Sequence, residues 1–401
     1  MGQTKVSIVK GGKNPNEEEI NSMVRRAIIL LGGLQSIVSP QDVVLIKPNL
    51  VVPREPSSGV ATDPLVCKSI ADMVREVEGI AIIAESSAFG EDTEEAFEVA
   101  GYNQLRDQGY EVIDLKKTGT KKVKISVPKG KAFKEIPLPK IVIEADVIIS
   151  VPKMKTHDQT TVTLALKNMK GVISDVYKRR FHTTLGVFQG VADLCTVVRP
   201  GLAVVDGIIG QEGLGPIYGT PIERDLIIAG TDLVAVDTIT GIVMGFPPEE
   251  NELLQKAVEQ EIGTMNLNEI EIVGEKIQDV QYRFKRAEEA VREQLKFPDG
   301  FKLIFSEKTC TGCRNTIHSV LFDMNTEGSL DKVRGLQVIV GMTKSIPKIE
   351  KETLLLVGKC TSKFEKYGRY VPGCPPNNKD VKIEIRGHMA DFNQKGFSCK
   401  E

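Results

Sequence analysis

Through the first 300 residues, short β-branched apolar runs alternate with longer stretches whose apolar residues recur at three- and four-residue spacing. The runs predict strands at Val6–Val9, Val43–Ile46, Ile80–Ala84, Glu111–Leu115, Val147–Val151, Leu202–Val205 and Leu226–Ala229. The longer stretches predict helices at Glu17–Leu31, Pro64–Glu76, Thr93–Ala100, Leu233–Met244 and Gln281–Leu295. In the first of these, Ile20, Met23, Val24, Ala27 and Leu31 fall on one face. Strands alternating with helices predict an α/β fold with a mainly parallel sheet. Uninterrupted runs such as Val147-Ile148-Ile149 suit strands covered on both faces. Lys116–Pro139 breaks the rhythm. It is rich in Lys, Pro and Gly, and it reads as a hairpin-like surface excursion whose lysines form a solvated face.

A chain of 401 residues exceeds one ordinary core. The turn-rich break Phe297-Pro298-Asp299-Gly300 divides it into an α/β domain, 1–298, with room for two subdomains, and a smaller domain, 299–401. The second has three apolar runs, Lys302–Phe305, Leu336–Val340 and Leu354–Val357. The first and third lead straight toward a cysteine, as expected of a small α/β domain with cysteines on loops at strand ends.

Charge narrows the function classes. The net charge is −2 and the pI about 6.2, so no general affinity for nucleic acid or anionic membrane is expected and any positive site must be local. No run approaches the ~18 apolar residues of a spanning helix, and the N-terminus has no secretory pattern, so a cytoplasmic location is expected. Seven cysteines in a reducing compartment should not form structural disulfides. Cys67, Cys195 and Cys399 are scattered and read as small buried hydrophobes or a free tail thiol. The other four fall within one 65-residue window.

In Cys310-Thr-Gly-Cys313, one turn of chain can present two thiolates to one metal centre. Cys360 follows a predicted strand, and Cys374 lies in Val371-Pro-Gly-Cys-Pro-Pro376. Four thiolates are a full set for a [4Fe–4S] cluster or a closed zinc site. Only one pair is short, and 46 and 13 residues separate the rest, whereas structural zinc usually takes two short knuckles. A cysteine followed by proline recurs in cluster loops, and Val-Pro-Gly-Cys-Pro-Pro resembles the cluster loop of hydrogenase and complex I small subunits. A [4Fe–4S] cluster is the expectation. Zinc is the alternative, and redox thiols are the third reading.

The second constellation is basic. Two of the four histidines, His157 and His182, bracket a stretch that contains Lys153, Lys155, Leu166-Lys-Asn-Met-Lys-Gly171 and Lys178-Arg-Arg180. It follows the predicted strand Val147–Val151, and open α/β sheets bind ligands beyond the C-terminal ends of their strands. Lys153, Lys155, His157, Lys167, Asn168 and His182 are therefore candidates for holding an anion. Lys47 and Asn49 follow strand Val43–Ile46 and can face the same cleft. Lys155, His157 and Lys167 are the catalytic candidates. Lys178-Arg179-Arg180 reads as a solvated loop or a docking patch for an acidic ferredoxin. Glu85 and Asp206, each after a strand, could balance the charge or bind a metal. Thr62-Asp63-Pro64 reads as a helix start, and Asp237 as a helix-packing residue. Gly210-x-x-Gly213-x-Gly215 is too weak a signal for a nucleotide loop.

These residues carry a family resemblance. Ile46-Lys-Pro-Asn49, Thr62-Asp-Pro64, Lys153-Met-Lys-Thr-His157, Leu166-Lys-Asn-Met-Lys-Gly171, Val205-Asp-Gly207, Ala229-Gly-Thr-Asp232 and Ala235-Val-Asp237 resemble the motifs of the domain of unknown function 362 family. The resemblance implies an iron–sulfur-associated protein and no settled reaction. The series His157, Lys167, His182 is distantly similar to that of the nickel-pincer lactate racemase superfamily. Carried over, His157 is the acid or base, Lys167 the cofactor anchor and His182 a metal ligand. No histidine precedes His157, so a second proton-transfer histidine is missing.

Three functions compete. One is an iron–sulfur oxidoreductase acting on an anionic small molecule or cofactor in a basic cleft, fed by a ferredoxin-like donor and worked under anaerobic conditions. The second is a racemase-like, metal-dependent isomerase or lyase, with a second metal or organic cofactor in the cleft. The third is a non-enzymatic electron carrier or metal-centre assembly factor. The sequence leaves the substrate open, and it allows a homodimer.

Overall fold

A computed structural model describes residues 3–117, 121–306, 309 and 311–394. The chain divides into two compact units. The first comprises 1–156, 162–178 and 188–284; the second comprises 157–161, 179–187 and 285–401. The second unit thus begins before the Phe297–Gly300 turn, and it takes in two short segments of the basic stretch.

In chain order the strands are β1 (Thr4–Lys10), β2 (Val43–Lys47), β3 (Ile80–Glu85), β4 (Glu111–Asp114), β5 (Lys122–Ser126), β6 (Glu135–Pro139), β7 (Val147–Ser150), β8 (Lys153–His157), β9 (Thr161–Thr163), β10 (Leu202–Glu212), β11 (Thr220–Gly230), β12 (Ile270–Gly274), β13 (Lys302–Phe305), β14 (Gln337–Val340), β15 (Leu354–Val357) and β16 (Arg369–Val371). The main sheet has ten strands with the path β12-β1-β11-β10-β7-β2-β3-β4; β8 joins it on β10, and β9 pairs with β8. All neighbours along the path are parallel except those of β11, which runs antiparallel to β1 and β10. The fold is α/β with a largely parallel sheet. β5 and β6 form the separate antiparallel pair expected of the lysine-rich excursion.

The apolar pattern explains the layers. Helix Glu17–Ile29 starts with a reciprocal Asn16/Glu19 capping box and buries Ile20, Met23, Val24, Ala27 and Ile28. Helix Pro64–Glu76 is capped by Asp63 and buries Val66, Ile70 and Val74 in the same core. Val44 and Ile46 of β2 join that core, while Leu45 is equally buried but outside it, as alternating side chains of a two-sided strand should be. Helix Leu233–Val243 is buried along nearly its whole length.

Three expectations are corrected. The helix expected at Gln281–Leu295 forms only over Ala287–Gln294. Before it, the amides of Tyr282 and Phe284 bond to the carbonyls of Val243 and Met244, which holds that stretch extended. β10 and β11 run to 11 residues each, as a long hairpin. Lys153–His157, expected as a loop beyond a strand, is itself strand β8, because the overlong β10 offers it a partner: Asp206 lies opposite Lys153 and Gln211 opposite Lys155.

The second unit holds an all-parallel sheet in the order β13-β14-β15-β16. Helix Thr311–Thr326 follows β13, and the 3₁₀ helix Lys359–Tyr367 follows β15. Among the described residues no helix is long and apolar enough to cross a membrane.

Candidate functional site

In the first unit, the C-terminal ends of β2, β3 and β7 and the start of β8 gather a set of buried polar side chains. Lys47, the last residue of β2, is fully buried. Its ammonium donates to Glu85 at 2.6 Å, to the Pro48 carbonyl at 2.7 Å and to Asn168 Oδ1 at 3.0 Å. Burial pulls the amine below the usual lysine range, and Glu85 offsets part of that. Asn168 is the hub. Its amide nitrogen donates to the Lys47 carbonyl and to Ser150 Oγ, while its Oδ1 also receives Asn49 Nδ2 at 3.3 Å. The Asn49 Oδ1 atom is buried and has no hydrogen-bond partner among the described residues. A Cβ at Gly171 would collide with both Glu85 and Lys47, so glycine is required where the Leu166–Gly171 motif crosses this pair.

Lys153 pairs with Asp206 at 2.8 Å, both buried. Asp206 Oδ2 also accepts the Asp63 amide, while the Asp63 side chain caps Leu65. Burial, and then the Asp206 charge, raise the Asp63 carboxyl. Thr62 Oγ1 bridges the Asn49 amide and the Val151 carbonyl, so the Thr62-Asp63-Pro64 motif fixes β2 to the strand crossing as well as starting a helix.

Lys155 differs from its neighbours. It is fully buried, and its ammonium donates to the Val60 carbonyl at 2.7 Å and the Pro216 carbonyl at 3.4 Å. Among the described residues no carboxylate lies within ion-pair distance of it. Burial, followed by repulsion from Lys167 and Lys153, pushes its amine well below the usual lysine range. Lys167, also buried, sits in the short helix Ala165–Asn168. The start of that helix is held by Asp237, whose carboxylate accepts the Ala165 and Leu166 amides at 2.7 and 3.0 Å. Asp237 therefore does more than pack: it places the motif that carries Lys167 and Asn168. Burial raises its carboxyl to about 7 against the lowering effect of those two bonds.

Lys178, expected on a solvated face, is buried. It donates to the carbonyls of Ser86 and Ser87 and to Ser86 Oγ at 2.6–2.8 Å. Burial lowers its amine to about 7. Arg179 and Arg180 are exposed as expected. Cys67 and Cys195 are buried, and burial raises both thiols, Cys67 to about 12, which makes them inert.

His157 and His182 belong to the second unit. His157 is buried, with Nδ1 2.8 Å from Asp158 Oδ1 and 2.9 Å from the Gln159 amide. One nitrogen serves one of these at a time: protonated, it donates to Asp158; bare, it accepts from Gln159. Asp158 is held by Asn378 Nδ2 at 2.9 Å, and Asn378 also bonds Ser319 Oγ. Burial would raise the Asp158 carboxyl, but His157, Asn378 and Ser319 together hold it below the usual range. His182 lies in the single π-type turn Phe181–Leu185.

The segments that carry Cys313, Cys360 and Cys374 meet at the C-terminal edge of the small sheet. Cys313 is buried on helix Thr311–Thr326; Cys360 and Cys374 are exposed. The Lys359 amide donates to the Gly373 carbonyl at 2.8 Å, and the Gly358 amide to Val371 at 2.9 Å, which ties the Cys360 loop to the Cys374 loop. A Cβ on Gly358 would stand 3.2 Å from Cys313 Sγ. Three of the four cysteine loops are thus drawn together, and the donor set suits an iron–sulfur or zinc centre. Cys310 lies outside the described residues, among which no three His, Cys, Asp or Glu side chains form a ready metal site. Both basic segments touch this region: the Gln159 carbonyl lies against Gly312, and that of His182 against Gly373.

Comparison with known proteins places the first unit. The family described as "Domain of unknown function (DUF362)" matches residues 44–240. A thylakoid-associated protein of Synechocystis sp. (strain ATCC 27184 / PCC 6803 / Kazusa) is 31% identical over 223 residues, 54% of this chain and 68% of that protein. The chain belongs to this family. Among solved structures, the lactate racemase apoprotein from Thermoanaerobacterium thermosaccharolyticum aligns with a TM-score of 0.40 and 12% identity, covering 85% of this chain and 69% of that one. The four clustered cysteines lie beyond the family-matched stretch.

Proposed function

We propose that the protein is an iron–sulfur oxidoreductase that holds an anionic small molecule against the buried amines of its first unit. Lys155 carries this reading. It is a fully buried amine with carbonyl acceptors and no carboxylate within ion-pair distance among the described residues, and Glu85 offsets only part of the repulsion from Lys167 and Lys153. A lone buried cation is costly unless it loses its proton or gains a counter-ion. Burial and the neighbouring lysines favour the neutral amine, and a bound anion would favour the charged one. Such a group can also exchange a proton with its ligand, which makes Lys155 the leading acid or base. Lys167 is the second cation toward the ligand, and Lys47, Asn49, Lys153 and Asn168 frame the place.

The cluster is assigned to Cys310, Cys313, Cys360 and Cys374, where it would supply single electrons. His157, oriented by Asp158, and His182 are the groups of that unit able to move a proton.

Anaerobically prepared protein should contain about four iron and four sulfide per chain, and Cys313→Ser or Cys374→Ser should lose most of both. Stoichiometric zinc without sulfide would overturn the cluster. Inorganic phosphate or simple mono- and dicarboxylates should raise the thermal midpoint of the wild type and leave Lys155→Met unmoved. Without anion the variant should be as stable as the wild type or more so, since it removes an uncompensated buried amine. Equal anion shifts in both proteins would defeat the anion site.

A further inference from the structure

The 3₁₀ helix Lys359–Tyr367 carries Cys360 at its start. With three residues per turn, side chains three apart line up. One line runs Thr361, Phe364: Thr361 is fully buried, and Phe364 packs against Ile339, Leu354 and Leu356. The neighbouring line runs Cys360, Lys363, Lys366, and all three are exposed. Lys359 is exposed beside Cys360, and Glu365 is the only acid in the element. The ammoniums of Lys363 and Lys366 rest over the rings of Phe364 and Tyr367, at 4.7 and 5.6 Å from the centroids. Tyr367 is itself 54% exposed and adds an aromatic contact at the end of the row. Cys313, by contrast, is buried.

The geometry points to the Cys360–Lys363–Lys366 row as the docking surface for a small acidic electron-carrier protein, which would reach the redox centre at its exposed Cys360 edge. This rests on the iron–sulfur reading above. If Cys360 is a ligand, its exposure brings one side of the centre to the surface, while the Cys313 side is closed. A carrier must approach from the open side, and the cations around it select a partner with an acidic rim. Opposite charge across such a rim accelerates encounter and suppresses like-charged partners, and salt screens the effect. The protein as a whole is slightly acidic, with a net charge of −2, so this local reversal of sign favours one orientation of an acidic partner.

The test uses the full chain, prepared anaerobically, and a fluorescently labelled acidic [2Fe–2S] ferredoxin as the probe. Anisotropy should show binding at low ionic strength that weakens steeply with salt. The double variant Lys363→Glu/Lys366→Glu should weaken it about tenfold or more and flatten the salt dependence. Iron and sulfide content should stay at the wild-type level, because neither lysine is a ligand. No binding by the wild type, equal binding by the variant, or tighter binding of a basic cytochrome would overturn the docking surface. So would preference for a short anionic oligonucleotide over the ferredoxin, which would make the row a nucleic-acid contact. Absence of iron and sulfide in the wild type would overturn the cluster instead. The anisotropy result reads the docking surface separately, since it needs no cluster.

Discussion

Lys178 shows what burial does to a single amine. Its three hydrogen-bond acceptors are two carbonyls and a hydroxyl, Asp175 Oδ1 stands 3.6 Å away, and burial outweighs the help of Glu85 and Asp175 and lowers the amine from 10.5 to about 7. Unfolded, the same amine holds its proton up to about pH 10.4. Between these values the unfolded chain binds more protons than the folded one, so stability rises with pH across that window. The contribution is complete above about 10.5 and is lost as the pH falls through 7. Lys47 and Lys155 are shifted in the same direction and add to the rise. Denaturant unfolding from pH 7 to 9.5 should show a positive slope that is shallower in Lys178→Met; an unchanged slope would mean that Lys178 is not buried as described. The sequence did not reveal this residue. Lys178-Arg-Arg180 has the look of a solvated run, and two of its three members are exposed. What buries the first is the Ser86-Ser87 loop, far away in sequence, and no local pattern reports such a partner. Lys47 and Lys153 were legible because each lies at the end of an apolar run, where a parallel sheet places its polar side chains.

At the scale of elements, the short helix Ala165–Asn168 is only four residues long and makes little helical bonding of its own. Its position depends on Asp237, which accepts its first two amides from helix Leu233–Val243. Removing the carboxylate leaves two buried N–H groups without acceptors, and each such group costs about 1–3 kcal/mol. Asp237→Ala should therefore destabilise the protein by about 2–4 kcal/mol in chemical denaturation at pH 8, where the carboxyl of the wild type is ionised. Asp237→Asn keeps one acceptor and should lose less. If the alanine variant unfolded like the wild type, the cap would not be what holds Lys167 and Asn168 in place. The motif Ala235-Val-Asp237 was visible in the sequence, but its use was not, since a buried acid on an apolar helix reads as packing until its acceptors are seen. The element pattern itself was largely readable. It failed where strands outran their apolar cores: β10 continues through Asp206 and Gln211, which periodicity ends at Val205, and so creates the partner that turns Lys153–His157 into a strand.

The two units do not follow one another along the chain. The second is built from 285–401 together with 157–161 and 179–187, two segments spelled out inside the family domain. The composition break at Phe297–Gly300 could not show this, because a short segment joins a unit through its contacts and leaves no mark in periodicity. The consequence concerns removability. A chain ending at Phe284 keeps Asp158 but deletes Asn378 and Ser319, the two groups that, with His157, hold its carboxylate in a buried place. Gln159 likewise loses Asn378 and Pro376. Stripped of its partners, a buried carboxylate must find water, protonate or open the structure around it. Hydrogen exchange on the truncated chain should therefore show the amides of 157–161 losing protection against the full chain by a factor of about 100 or more, which corresponds to ~3 kcal/mol. The amides of β2, β3 and β7, whose ladder lies wholly in the first unit, should stay protected. Unchanged protection at Asp158 and Gln159 would mean that the first unit holds this segment unaided. The assignment of 157–161 to the second unit would then be wrong, and residues 285–401 would be a removable module.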